Sequence, residues 1–214
     1  PQIGEKKNLL KNVLRNAQVG IDRLELSKLK SSTNQVLLSL QQDLDLPDLP
    51  ISILGFDISH LQGSNIVASA VSFMNGLPDK KQYRKYKIQS VKHRSNDPAS
   101  IKEVVFRRLQ ECIKSNRFPN LLLIDGGKAQ LNFAMESVHQ LGLEKKFSVV
   151  ALAKKNEELY LPTKDRIIVL KRSHPGLQLL QKVRDEAHRF AVGFQRQQRT
   201  KAALLSELMT IPGI

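Results

Sequence analysis

Two aspartates and one histidine stand where apolar runs give way to polar chain. Asp57 lies near the end of Ile51-Ser-Ile-Leu-Gly-Phe-Asp-Ile-Ser-His60, and Asp125 ends the run Leu121-Leu-Leu-Ile just before Gly126-Gly127. His188 sits in Val183-Arg-Asp-Glu-Ala-His-Arg-Phe-Ala191. A carboxylate embedded among Leu and Ile is costly unless something pairs with it. Two carboxylates on neighbouring strands also repel, and one divalent cation relieves both penalties. Hard oxygen donors without a Cys or His cluster favour Mg²⁺ or Mn²⁺ over zinc. Asp57 and Asp125 are therefore read as metal ligands of a phosphodiester-cleaving site. His188 either completes that metal site or carries a proton to water or the leaving oxygen.

Each of these residues also has a plain structural reading. Asp57 would be a turn residue, and Asp125 the N-cap of a helix opening at Gly-Gly-Lys. His188 alone would be an ordinary helix-surface residue. Arg184, Asp185, Glu186 and Arg189 read either as a solvated face with weak local ion pairs or, for Arg184 and Arg189, as bidentate phosphate contacts. Lys128 is a further phosphate-contact candidate, because an anion at a helix N-terminus meets free amides and the Lys charge. Asp97, directly before Pro98, reads first as an N-cap and second as a supporting acid. His60 reads as a turn residue or a support for the ligands, and His93, His139 and His174 have no constellation around them. Gly126-Gly127-Lys128 lacks the spacing of a phosphate loop, and Ser59 lacks the flanking glycines of a nucleophile elbow.

The elements that must position these residues follow from periodicity. Leu9, Leu10, Val13, Leu14, Ala17, Ile21 and Leu24 predict a helix over residues 5 to about 30, with an interruption at Ser31-Ser-Thr-Asn34 and a short second helix at Val36–Leu40. Leu46-Pro-Asp-Leu-Pro50 is a linker, so the compact domain is expected to begin near residue 50. Three antiparallel strands follow, over 51–59, 65–74 and 81–91, with a turn at Asn75-Gly76. A helix from Asp97 to about Ser115 precedes a buried strand over 119–125. A helix over 128–141 ended by Gly142, a buried strand over 147–153, a hairpin-like pair over 159–170 and a last helix from Pro175 to about Leu205 complete the pattern. Antiparallel strands first, then alternating strand and helix, give an α/β fold: a ribonuclease H-like mixed sheet flanked by helices, with an N-terminal helical extension.

The 214 residues carry 34 Lys and Arg against 20 Asp and Glu, a formal net charge of +14, which points to a polyanionic partner such as nucleic acid. The chain contains no Trp and only 3 Tyr, so base stacking is not the main mode of contact. The single cysteine, Cys112, excludes a disulfide framework or a zinc cluster within the chain. No apolar stretch reaches membrane-spanning length and no signal peptide opens the chain, so no membrane partner and a cytoplasmic location are expected. Neither end reads as a natural terminus, and a longer parent chain is expected.

Phe56-Asp-Ile-Ser-His60, Tyr83-Arg84, Leu123-Ile-Asp-Gly-Gly-Lys128, Leu152-Ala-Lys154, Arg184-Asp-Glu-Ala-His-Arg-Phe-Ala191 and Ile211-Pro-Gly-Ile214 together resemble the C-terminal half of the UvrC family, the incising subunits of the bacterial UvrABC excinuclease. The resemblance spans essentially the whole chain. It implies a divalent-metal-dependent endonuclease that makes the 5′ incision at lesions in nucleotide excision repair, with its Asp-Asp-His triad at Asp57, Asp125 and His188. A further acidic position of the family falls near Asp97. The implied partners are damaged double-stranded DNA and UvrB, the latter mainly through segments outside this chain, with no small-molecule substrate. The implied division is a helical segment and linker over 1–49, the ribonuclease H-like endonuclease domain over 50–205, and the start of a helix-hairpin-helix module over 206–214. The rival from another class is a non-catalytic DNA-binding module that keeps the fold and has lost its chemistry. An RNA-cleaving ribonuclease H is a third reading, which would require recognition of the 2′-hydroxyl.

Overall fold

The computed structural model describes the backbone of residues 5–60, 66–88, 97–162 and 167–208. Helix α1 (Glu5–Leu44) leads into strands β1 (Ser52–His60), β2 (Ile66–Met74), β3 (Leu77–Pro78) and β4 (Arg84–Lys87). Helix α2 (Asp97–Ser115), β5 (Leu121–Asp125), α3 (Lys128–Gln140) and β6 (Ser148–Ala153) then alternate. Strands β7 (Glu158–Tyr160) and β8 (Ile168–Val169) precede the long helix α4 (Pro175–Leu208). The sheet runs β3-β2-β1-β5-β6-β7-β8, with β4 also paired to β2. The central pairs β1–β5 and β5–β6 are parallel, and the remaining pairs are antiparallel. This is the expected mixed sheet flanked by helices.

Period-two alternation builds a core on each face of the sheet. Ile53, Leu121, Leu123, Val150 and Leu152 point to one face, where Leu37, Leu40 and Leu44 of α1 and Leu177, Leu180 and Val183 of α4 cover them. Leu54, Phe56, Leu122, Ile124, Val149 and Ala151 point to the other, under Ile101, Val104, Val105 and Leu109 of α2 and Leu131, Ala134 and Val138 of α3. Strands buried on both faces read as unbroken apolar runs, which is why Leu121–Ile124 carries no alternation in polarity. His174 sets the start of α4. Its Nδ1 accepts the backbone N–H groups of Gly176 and Leu177 at 3.1 and 3.3 Å, which leaves Nε2 to donate to Asp43 of α1 at 2.7 Å.

Two expectations differ from the structure. The N-terminal region is one continuous helix through Ser31–Asn34, not two. Helix propensity differences are only a few tenths of a kcal/mol per residue, and the turns after this stretch are held in the core by fully buried leucines. The third strand, expected over 81–91, starts later: Lys81 and Gln82 belong to a 3₁₀ turn over Lys80–Gln82, and pairing with β2 runs over Arg84–Lys87. The two-residue β3 (Leu77–Pro78), not expected from the sequence, pairs with β2 ahead of the turn and is cut short by Pro78, which has no amide to extend the ladder. The remaining expected elements fall within a few residues of their observed bounds. Residues 89–91 of the expected third strand, His93, and the terminal Ile211–Ile214 lie outside the described residues.

Candidate active site

Asp57 and Asp125 come together because their strands are parallel neighbours. The register pairs Phe56 with Ile124, so its next step sets the two aspartates side by side, Asp125 at the end of β5 and Asp57 three residues before the end of β1, which continues beside β2 to His60. Both point to the face covered by α4, the face also taken by Ile53 and Leu123. Their side chains are 4% and 7% exposed, and a hydrogen bond links the two carboxyl groups. Burial, followed by that bond and the charge of Asp57, pushes the Asp125 carboxyl up to about 6; Lys154 and Arg184 pull it the other way. The N-cap of α3 is Gly127, so Asp125 is not used for capping.

The turn after β5 is shaped by glycine. Gly126 has φ +154°, and a Cβ there would lie 2.7 Å from Gln130 Cγ. Gln130 folds back so that its Oε1 accepts the Gly127 N–H at 3.0 Å. A hollow of about 250 Å³ opens over this turn and reaches Asp57, Asp125, Gln130 and Lys154.

His188 is delivered by α4. Gly55 lets the helix approach β1, since a Cβ there would sit 2.5 Å from Val183 Cγ1. Ser69, opposite Asp57 on β2, fastens the same helix by donating its hydroxyl to the Ala187 carbonyl at 2.8 Å. The next residue, His188, holds Nδ1 3.6 Å from Asp57 Oδ2 with its ring half exposed. The structure thus brings together all three residues read from the sequence as catalytic.

The other sequence candidates lie around this centre. Arg184 donates to Glu157 at 2.7 Å and to Asp185 at 3.2 Å. Arg189 makes a bidentate pair with Glu186, both bonds 2.7 Å, and Tyr83 donates its hydroxyl to the same Glu186 at 3.1 Å. The fork geometry expected for phosphate at Arg189 is realised with a carboxylate. Lys128 is exposed on the first turn of α3, outside the lining of the hollow. Asp97 opens α2, and its side chain and that of His60 lie outside the described residues. His139 pairs with Glu144 at 2.8 Å, away from the acids.

Lys154 entered the sequence reading only within the Leu152-Ala-Lys154 stretch and was given no role there. Its ammonium lies 3.5 Å from Asp125 Oδ2, and it lines both the acid hollow and the neighbouring cleft of Arg184, His188 and Arg189. A signal for it existed. Lys154 is the first polar residue after the apolar strand β6, just as Asp125 closes β5, and parallel neighbours deliver such residues to the same end of a sheet.

The donor set suits a hard divalent cation: two buried carboxylates that repel when both are ionised. Among the described residues no three His, Cys, Asp or Glu side chains already converge as a ligand set. The acid pair would offer two carboxylate ligands, with His188 at the rim. A cation such as Mg²⁺ commonly leaves its other positions to water and phosphate oxygen.

A sheet of this order between two helical layers, with paired acids on adjacent parallel strands, defines a ribonuclease H-like endonuclease domain. Residues 41–192 match the UvrC RNAse H endonuclease domain, and the chain belongs to that family. It is 45% identical over 222 residues to the UvrABC system protein C of Synechocystis sp., covering all of this chain and 35% of that protein. It is 42% identical over 215 residues to the UvrABC system protein C of Dictyoglomus thermophilum, covering all of this chain and 34% of that one. The chain spans about a third of the length of the curated relatives it matches. A solved Ciona intestinalis Endonuclease V in complex with inosine-containing DNA is similar at TM-score 0.46 and 14% identity, covering 81% of this chain and 98% of that one. The C-terminal lobe of a budding yeast Argonaute is similar at TM-score 0.36 and 18% identity, covering 67% and 32%. Among the described residues no helix is long and apolar enough to cross a membrane.

Proposed function

We propose that this chain is the part of a UvrC protein that makes the 5′ incision at a DNA lesion in nucleotide excision repair, as a divalent-metal-dependent endodeoxyribonuclease working with UvrB. The observation that carries this reading is the hydrogen-bonded acid pair, two buried carboxyls on neighbouring strands with an imidazole 3.6 Å from one of them. With Asp125 protonated the pair is a donor and an acceptor; with both ionised it would be two acceptors side by side, a charge pair that a divalent cation would relieve.

Asp57 and Asp125 would hold Mg²⁺ or Mn²⁺. Bound there, the ion supplies Lewis-acid polarisation of a phosphodiester and acidification of water. With both carboxyls ionised, Asp57 and Asp125 would be the residues that hold the ion; burial and the neighbouring Asp57 raise the Asp125 carboxyl to about 6, so that state is favoured above that pH. His188, held on a fixed helix by Ser69 and Gly55, takes or returns a proton at Nδ1 on the solvent side of Asp57. Lys154, exposed and within reach of Asp125, moves its ammonium onto a phosphate oxygen that enters the hollow. Lys128, Arg184 and Arg189 supply positive charge along the strand's path, with Arg184 and Arg189 exchanging their carboxylate partners for phosphate. Asp97 stands as a supporting acid at the start of α2. Residues 1–49 form the lead-in, 50–205 the nuclease domain, and 206–214 the opening of a DNA-binding module.

The test is a full-length protein reconstituted with its excinuclease partners and a lesion-bearing duplex. Asp57→Ala should lower the 5′ incision rate by about 10³-fold while duplex affinity stays within about twofold. Incision at the normal rate would overturn the assignment. Mn²⁺ binding by calorimetry, lost in Asp57→Ala and Asp125→Ala, separates the nuclease from a binding module that has lost its chemistry. Cleavage of DNA against hybrid duplexes separates it from a ribonuclease H.

A further inference from the structure

Strand β4 carries positive charge that the acid pair does not use. Its register ties it to the site through one row of the sheet: Lys85 pairs with Ser69 on β2, and Ser69 pairs with Asp57 on β1. Two strand spacings separate Lys85 from Asp57, about 10 Å between backbones. Directly paired residues share a face of the sheet. Ser69 shows which face this is, since its hydroxyl bonds the Ala187 carbonyl of α4. Lys85 and Lys87, two residues apart, therefore stand on the α4 side, as Asp57 and Asp125 do.

Contacts with α4 agree with this placement. Lys85 Nζ lies 4.6 Å from the centre of the Phe190 ring, and Phe190 meets Tyr83 edge-on at 5.1 Å. Only Arg189 separates Phe190 from His188 in the chain, so the cations of β4 continue the positive flank of α4. Lys87 is exposed. Glu186, the α4 carboxylate on this flank, is engaged by Arg189 and Tyr83. Glu103 and Glu111 belong to α2 on the other face, where Glu111 accepts from Tyr86 and Glu103 from Arg107. Lysines on an edge strand also deter pairing with another chain. That duty asks only for charge along the edge, and does not ask for it on the face and row of the acids.

We propose that Lys85 and Lys87 bind the sugar-phosphate backbone of the DNA beside the incision site. The inference rests on the nuclease reading and adds to it the direction in which the DNA strand runs: from the acid pair past His188 and Arg189, then across β4. At about 3.4 Å of rise per nucleotide, the 10 Å row places Lys85 about three nucleotides from the scissile phosphate. Lys87, about 7 Å further along β4, takes a neighbouring phosphate of the same DNA strand. Each ammonium is a point charge with three donors, which holds phosphate without reading bases.

The experiment titrates a fluorescein-labelled duplex with the full-length protein, by anisotropy, at a series of salt concentrations. Replacing both lysines, Lys85→Gln with Lys87→Gln, should flatten the slope of log affinity against log salt by about 1.8. Between about 50 and 200 mM salt the variant then loses about tenfold less affinity than the native protein. Lys85→Arg with Lys87→Arg should restore the native slope. Lys145→Gln with Lys146→Gln is the matched control. It removes the same charge before β6, at the opposite end of the sheet, and Lys146 also lies over a ring, 5.9 Å from the centre of Phe118. That control should leave the slope unchanged. A native slope in the Lys85/Lys87 variant, or an equal flattening in the control, would overturn the inference and leave the nuclease reading to its own test at Asp57. A variant that keeps its salt slope and loses assembly with UvrB would overturn it too, and assign this face to a protein.

Discussion

Strands β1 and β5 run side by side, and their two ends are joined by polar pairs of opposite character. At the start, Ser52 and Asn120 fit donor to acceptor. The Ser52 backbone N–H and hydroxyl donate to Asn120 Oδ1 at 3.0 and 2.8 Å, and the Asn120 N–H donates to Ser52 Oγ at 3.0 Å. At the finish, Asp57 and Asp125 set carboxyl against carboxyl, and burial together with that contact raises the Asp125 carboxyl to about 6. The first pair is closed chemistry and serves the fold. The second sets like against like, and polar groups that the fold leaves poorly matched are where function is expected to sit.

Removing half of the acid pair should have the largest effect, and on activity. Asp57→Asn keeps the shape and should cost about 10³-fold in incision, with melting temperature little changed or raised. Loss of folding without any change in the rate of the folded fraction would make the acids structural and erase the contrast between the two ends.

The next effect is on stability and concerns pH. Asp125 ordinarily titrates near 3.8 and is raised to about 6 in the fold, so the fold favours its protonated form. That contribution is fully present below about pH 4 and lost as pH rises through about 6. The chain in chelator should therefore lose stability between pH 4 and pH 6. Asp125→Asn, neutral throughout, should flatten that fall and gain up to about 3 kcal/mol at pH 7. Denaturant unfolding at pH 4 and pH 7 checks it. An unchanged pH profile in the variant would show that the pair carries no strain.

Gly55 sharpens the comparison by altering what rests on the strands. A Cβ there meets Val183 Cγ1 at 2.5 Å, and a β-branched side chain on a helix has little freedom to step aside. Gly55→Ala should cost about 1–3 kcal/mol. It should also slow incision by about tenfold, because α4 carries His188 a turn and a half further on. Adding Val183→Ala should restore part of both. A rate unaffected by Gly55→Ala would mean that His188 needs no fixed place.

Much of this site was legible because its causes are local. An apolar run that ends in a single acid marks a buried strand delivering that acid to a sheet end, which placed Asp57 and Asp125. The helix period placed His188 beside Ala187, and α4 follows it. What was not legible depends on partners distant in the chain. Glu157 reaches Arg184 only because Asn156 and Glu157 adopt left-handed backbone, φ 63° and 53°, between β6 and β7. The pairing of Arg189 with Glu186 three residues earlier was foreshadowed by spacing, but the Tyr83 hydroxyl that fixes Glu186 comes from beside β4. The unbroken α1 had its cause in tertiary burial, which local propensity does not contain.

The smallest predicted effect belongs to the closed end. Asn120→Ala removes the two hydrogen bonds that Ser52 donates to Asn120 Oδ1 and keeps the one donated by the residue-120 backbone N–H, and the exposed part of the site lets water replace some of what is lost. The expected cost is about 1 kcal/mol in denaturant unfolding. Incision by the folded protein should stay within about twofold, because the change lies five residues up the strand from Asp125 and the ladder between them, Leu121 to Ile124 against Ile53 to Phe56, is intact. A tenfold loss of rate at full stability would mean that the register of β1 on β5 is set at Asn120, and that the closed pair holds the acid pair in place.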